Sequence, residues 1–193
     1  MEQVFIEERV FEKIDYTINS WAKGEYENCT FNNCNFSNVN LTGSKFMECA
    51  FIGCNLSLAQ LTMTVLSDVK FRECKLLGLR FDTCNKFGLS VSFEDCNLNH
   101  SSFYQTKLKK TTFKNLQLHE VDFTGCDLTG SVFDNCDLMR ATFSNTILEK
   151  VNFRTSFNYS INPESNKIRK AKFSLLGVVG LLDKYDIEID TIH

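Results

Sequence analysis

The stretch Thr111–Phe153, TTFKNLQLHEVDFTGCDLTGSVFDNCDLMRATFSNTILEKVNF, places a large apolar residue at every fifth position from Phe113 onward. We call these positions centres, and they alternate between two residue types: Phe113, Leu118, Phe123, Leu128, Phe133, Leu138, Phe143, Leu148 and Phe153. Two residues before each centre lies a smaller or β-branched residue, with Leu116 as the one larger exception. Neither a helix (period 3.6) nor a strand (period 2) produces a period of five, so the pattern indicates a repeated structural unit.

A second period of twenty lies on top of the first. Every fourth centre is a phenylalanine: Phe31, Phe51, Phe71, Phe93, Phe113, Phe133 and Phe153. A pure five-residue repeat gives no reason for this selection. The two periods together predict a coil with four sides and five residues per side. Successive coils would stack so that the backbones lie about 4.8 Å apart.

The register slips once, because Phe81 and Phe93 are twelve residues apart instead of ten. Two extra residues therefore enter between Cys84 and Val91. We expect Phe87 to take the missing centre and Gly88 to ease the bulge.

A central Phe or Leu, a small residue two positions earlier and polar flanks resemble the pentapeptide-repeat family. The resemblance implies an all-β fold, a right-handed quadrilateral β-helix, here with a short C-terminal helix cap.

The organisation predicted from the repeat is a single domain over residues 1–193. Residues 1–21 are expected to form an N-terminal cap, 22–157 the repeat coils, and 158–193 a C-terminal cap of helix and strand. Residues in the first segment keep the register of five, but Arg9 and Asn19 do not suit inward positions.

Eight of the nine cysteines lie two residues before a centre, at the inward small position, and Cys84 holds the same register position just before the slip. A spacing of five is not a zinc-binding pattern, and a buried free thiol serves as a small filler. We therefore predict buried, inert thiols in a reducing cytosol. The first residues do not resemble a signal peptide, so the expected localisation is cytoplasmic.

The sequence predicts no enzymatic activity, no cofactor and no metal. It contains no phosphate-binding glycine loop, no HExxH and no CxxC. His100 and His119 fall on outward positions, whereas every Cys points inward, so no Cys–His nucleophile pair is expected in the coils. A net charge of −3 does not favour binding to nucleic acid or to an anionic membrane.

Some outward positions carry apolar residues. Ile52, Leu58 and Leu77 fall on two adjoining sides and are predicted, with Lys86 and Phe87 at the bulge, to bind a partner. The alternative is that scattered apolar residues are ordinary on a protein surface.

After the repeat, Ser174 is expected to cap a short helix that is apolar on more than one face. Residues 186–190 alternate like an edge strand. This end is predicted to form a homodimer, the alternative being a monomeric cap. The residues concerned are Leu175, Leu176, Val179, Leu181, Leu182, Tyr185, Ile187 and Ile189.

Both ends of the chain resemble Qnr-type quinolone-resistance proteins: residues 12–15 and 24–36 at the start, and GLLDKYDIEI over 180–189 at the close. The resemblance implies a protein that binds DNA gyrase or topoisomerase IV and relieves fluoroquinolone poisoning. The sequence departs from Qnr proteins of Gram-negative bacteria in having no loop between Phe46 and Leu56. At the position of the second loop of those Qnr proteins, this sequence has only the two-residue bulge. The second hypothesis is an interaction scaffold with an unrelated cytosolic partner.

Overall fold

A computed structural model describes residues 4–190, and nearly all of its regular structure is parallel β. The strands are β1 Val4–Glu7, β2 Val10–Glu12, β3 Gly24–Glu27, β4 Thr30–Asn32, β5 Lys45–Met47, β6 Ala50–Ile52, β7 Val65–Ser67, β8 Val69–Arg72, β9 Val91–Glu94, β10 Thr112–Lys114 and β11 Val132–Asp134. A seven-stranded sheet runs in the order β11-β10-β9-β8-β6-β4-β2, and a four-stranded sheet runs β1-β3-β5-β7. Each sheet takes one strand from each successive coil.

The register confirms the twenty-residue period. Phe31 pairs with Phe51, and Phe113 pairs with Phe133. We call the side that carries these phenylalanines the first side. The second and third sides carry Phe36 and Leu41, and the fourth carries Phe46. On the first side the aromatic rings stack coil on coil, with centroids 4.4 Å apart between Phe113 and Phe133.

The chain turns most corners with a left-handed backbone two residues after a centre. Asn33 has φ of 53°, Gly53 of 63° and Gly125 of 66°. Glycine and asparagine adopt this region at the lowest cost, which explains their frequency at that position.

The small inward residue donates a hydrogen bond in addition to filling space in the core. The Cys54 thiol donates to the carbonyl oxygen of Phe31 at 3.1 Å, and the Ser131 hydroxyl donates to that of Leu108 at 2.7 Å. Cysteine, serine and threonine are therefore interchangeable there, because each is small and supplies a donor. All nine cysteines are free and buried, as the pattern predicts.

The prediction for the bulge is wrong in its central residue. Phe87 is 90% exposed, and Leu89 packs against the core instead. The Asn85 side chain holds the excursion by accepting the Phe87 backbone N–H at 2.9 Å. A period of five cannot tell which residue of an insertion turns inward.

The N-terminal segment is a further coil. Strands β1 and β2 pair in parallel with β3 and β4, in the same twenty-residue register. Ile6, Phe11 and Trp21 pack partly buried against the core, so this coil also covers the next one. Arg9 is tolerated because at the end of the rod it lies exposed.

The repeat continues past the predicted boundary at residue 157. Lys167 and Lys172 bridge to Ile147 and Asn152, and the Phe173 ring stacks on Phe153 at 5.6 Å.

The C-terminal helix is shorter and tighter than expected, with 3-10 turns at Leu176–Leu181 and Asp183–Tyr185. Ser174 does cap the first turn, since its hydroxyl accepts the Gly177 N–H at 3.0 Å. Residues 186–190 are not a strand. Their residues alternate as predicted, but among residues 4–190 they pair with no neighbouring strand.

Candidate interaction surfaces

The interior of the coils is filled by the inward Phe and Leu side chains and by buried cysteines. Burial raises the pKa of the Cys49 thiol to about 11 and that of Cys84 to about 12. Such thiols stay protonated at neutral pH, and only the thiolate is a nucleophile. Any recognition must therefore use the outer surface.

The two histidines that face outward are engaged separately. His119 Nε2 lies 2.7 Å from Asp137 Oδ2, and His100 Nδ1 lies 3.4 Å from Glu120 Oε2. Burial works against the charge on Asp137, but hydrogen bonds from His119 and Asn158 outweigh it and lower its pKa. Among residues 4–190 no cluster of three or more His, Cys, Asp or Glu side chains is placed to hold a metal ion.

Leu58 and Leu77 are neighbours on the second side. The Leu58 N–H donates to the Leu77 carbonyl at 2.9 Å, and the Leu58 side chain lies over Gly78. Leu58 is 59% exposed with φ of 57°, so a bulky apolar residue occupies a corner that favours Asn or Gly. Ile52 lies half-buried in β6 on the adjoining first side.

Lys86 and Phe87 lie at the bulge on the fourth side, away from Leu58 and Leu77. Together with Leu89, Gln105 and Lys107 they line a cavity of about 300 Å³. The five residues predicted to bind a partner therefore do not form one continuous surface.

The C-terminal end is the most apolar exposed region of residues 4–190. Leu175 and Leu176 are 89% and 82% exposed, whereas Leu181 and Leu182 are half-buried against the coil. Val179 is also exposed, as are the following residues Tyr185, Ile187 and Ile189. Association of two copies through this end stays a prediction.

Sequence reasoning missed two residues at this end. Met139 and Phe157 line a cavity of about 650 Å³ beneath the 3-10 turns. Met139 could have been recognised from the sequence, because it is an apolar residue at an outward position of the repeat. Phe157 had no such signal, because it lies where the repeat was expected to break. No helix within residues 4–190 has the length and apolar character to cross a bilayer.

Comparison with known proteins places the fold. No curated protein sequence matches this chain significantly. Among solved structures, a trypsin-treated variant of QnrB1, a plasmid-mediated fluoroquinolone resistance protein, is 17% identical with a TM-score of 0.57. That match covers 97% of this chain and 100% of the trypsin-treated QnrB1 chain.

A second solved structure has the same TM-score. HetL is a pentapeptide repeat protein involved in heterocyst differentiation regulation from the cyanobacterium Nostoc sp. Strain PCC 7120. It is 15% identical with a TM-score of 0.57, over 90% of this chain and 87% of HetL. These likenesses confirm the all-β, right-handed quadrilateral β-helix. The family model described as pentapeptide repeat region matches residues 25–88 and 89–157, the two matches meeting at the bulge. The chain belongs to the pentapeptide-repeat family.

Proposed function

We propose that this chain is a non-enzymatic, cytosolic protein-binding module that binds DNA gyrase or topoisomerase IV and protects it from fluoroquinolones. The observation that carries the proposal is the likeness to the trypsin-treated QnrB1 variant, which extends over 97% of this chain and 100% of that trypsin-treated chain. The resemblance of both chain ends to Qnr-type proteins supports it as well.

The molecule is suited to binding a protein. Its rod is rigid, because every coil is held by backbone hydrogen bonds to the next. Its sides carry exposed apolar side chains, among them Leu58 and Phe87. Leu58 is exposed at a left-handed corner, and Phe87 projects from the bulge. Apolar side chains held in such positions are typical of contact residues.

The decisive experiment is a supercoiling assay with purified gyrase and ciprofloxacin, with and without this protein. We expect the protein to restore supercoiling at a drug concentration that inhibits gyrase alone. Gyrase should also co-purify with the tagged protein. No rescue together with no co-purification of gyrase or topoisomerase IV would eliminate this function.

Matched variants test the contact residues. Leu58→Asn and Phe87→Ser should weaken rescue without lowering the melting temperature, because both side chains are largely exposed. Glu73→Asn is the control, since Glu73 is also an exposed left-handed corner residue. Equal rescue by all three variants would place the contact elsewhere.

The second candidate function is a scaffold for an unrelated cytosolic partner. The observation in its favour is that HetL, a protein involved in heterocyst differentiation regulation, has the same TM-score to this chain as the QnrB1 variant. Retained binding to a defined partner without any effect on gyrase would support this candidate.

A further inference from the structure

One corner of the rod is sorted by charge. The corner between the fourth and first sides carries one residue per coil, and we call this series the corner ladder: Glu8, Asn28, Glu48, Asp68, Ser90, Lys110, Gly130, Lys150 and Lys170. The four residues before Ser90 include three acids and no base. The four after it include three lysines and no acid.

The structure aligns these residues on one edge. All except Ser90 have the left-handed backbone of the corner position, with φ between 50° and 73°. Ser90 belongs to the same series because its hydroxyl donates to Asp68 at 2.7 Å across one coil. Eight steps of about 4.8 Å make the ladder roughly 38 Å long.

The six charges of the ladder form no ion pair within the part of the chain that the structure describes. All six side chains are exposed, and none forms an ion pair with another residue among 4–190. Neighbouring charges behave differently, since Lys109 pairs with Asp127 and Arg169 with Glu149.

The other corners show no such order. The corner between the first and second sides, for example, mixes Lys13, Asn33, Glu73, Asp95 and Asn135. The sorting is therefore a property of one edge and does not follow from the repeat itself.

The arrangement is complementary to itself. Ser90 is the fifth of nine residues, so a two-fold rotation about it lays the acidic half of one ladder against the basic half of another. Glu8 would then face Lys170 and Asp68 would face Lys110 as opposite charges. Asn28 would face Lys150 and Glu48 would face Gly130, so no like charges meet. An edge whose charge inverts about its midpoint fits an antiparallel copy of itself, which is the geometry of a closed two-fold dimer.

The flank of the corner permits close approach. On the first side the neighbouring outward positions carry mostly short residues, among them Thr30, Ala50, Thr112, Val132 and Asn152. Phe87 projects at the level of the proposed axis, where it would meet its own copy.

We propose that two copies of this chain pair side by side and antiparallel along the corner ladder, with the two-fold axis at Ser90. This contact is separate from the C-terminal end, because the pairing leaves the two ends at opposite extremes. The proposal does not rest on topoisomerase binding, but Phe87 belongs to both contacts, so self-association would cover one of the residues proposed to bind the topoisomerase.

The test is sedimentation velocity on the full chain over a concentration series. Leu175→Asp with Leu176→Asp provides a background in which the apolar end cannot contribute. We expect a dimer at low salt that dissociates as the ionic strength rises to about 0.5 M, where charge interactions are screened within about 4 Å. A monomer at every concentration and at low salt in this background would overturn the proposal.

Charge reversal makes the test specific. Asp68→Lys or Lys110→Asp alone should weaken self-association by about tenfold or more, because each reversal acts twice in a two-fold pair. The double variant D68K/K110D should restore it, since the faced charges are again opposite. The control Glu73→Lys should change nothing. Self-association unaffected by either reversal, or not restored in the double variant, would refute the proposal.

Mixing provides a second measurement that does not depend on either single variant. The triple variant K110E/K150E/K170E carries an all-acidic ladder, and E8K/E48K/D68K an all-basic one. Each alone should be monomeric, and an equimolar mixture should form a one-to-one heterodimer. Failure to associate by variants that keep the wild-type circular dichroism spectrum would contradict the proposed pairing.

Discussion

A single inward phenylalanine carries a large share of the stability of its coil. Phe113 is fully buried and lies between Phe93 and Phe133 in the ring stack of the first side. Phe113→Ala should lower the free energy of unfolding by about 3–5 kcal/mol, because stacked coils on both sides limit collapse of the cavity. Chemical denaturation measures the change.

The control lies on the same strand. Thr112 is exposed and points outward from β10, so Thr112→Ala should cost under about 0.5 kcal/mol. Similar losses for the two variants would mean that the inward and outward sides of β10 are misassigned.

Buried thiols make the protein sensitive to alkaline pH. Burial raises the pKa of Cys136 from 9.0 to about 12, so above pH 9 the unfolded chain releases a proton that the folded chain keeps. The free energy of unfolding should therefore fall as the pH rises from about 9 toward 12. Thermal melts across this range measure the slope.

The matched variant is Cys136→Ser, because Ser131 and Ser156 occupy equivalent positions and donate to the same kind of carbonyl. It should reduce the alkaline slope. A slope identical to that of the wild type would show that this thiol does not contribute.

At the scale of an element, the C-terminal turns dock through glycines. A Cβ added at Gly180 would lie 2.0 Å from the Tyr159 carbonyl oxygen, and the Gly180 carbonyl accepts the Ile161 N–H at 2.8 Å. Gly180→Ala should therefore detach the turns from the last coil while leaving the coils folded. Hydrogen exchange or limited proteolysis over residues 175–190 would detect this.

Leu175→Ala is the control for docking, since Leu175 is 89% exposed in the same segment. It should leave protection of the turns unchanged. If Gly180→Ala also keeps full protection, the close approach to Tyr159 does not hold the turns in place.

Sequence patterns predicted the elements that repeat and failed where the repeat is interrupted. The stack of phenylalanines on the first side, the four sides and the inward cysteines followed from residue spacing alone. Phe87 was misplaced because either Phe87 or Leu89 can fill a centre once two residues are inserted. Residues 186–190 were misread because alternation reports a residue pattern and not the presence of a neighbouring strand.

At the scale of the whole molecule, the surface was harder to predict than the core. The period of five predicts which residues point outward. It does not show that the residue two positions after a centre forms the corner, which follows from the left-handed backbone in the structure. Once that position is known, Glu48, Asp68, Lys110 and Lys150 can be placed in one series from the sequence, with a period of twenty and the two-residue slip between Cys84 and Val91. Apolar candidates such as Leu58 and Phe87 were identified as exposed or inserted, but their separation required the fold.

The coil is the unit of the whole rod, which leads to a prediction about deletions. Removing residues 111–130 joins Lys110 to Ser131, which occupies the same register position as Thr111, so every remaining plug keeps its side. Because stability in a solenoid is approximately a sum over coils and their interfaces, the shortened chain should fold with a lower melting temperature and a rod about 4.8 Å shorter.

Removing residues 111–126 instead joins Lys110 to Asp127 and shifts the register by one position in five. The centres that follow then turn away from the core, and the protein should lose cooperative unfolding. Circular dichroism and small-angle X-ray scattering distinguish the two deletions, and equal tolerance of both would mean that the five-residue register does not determine the stacking.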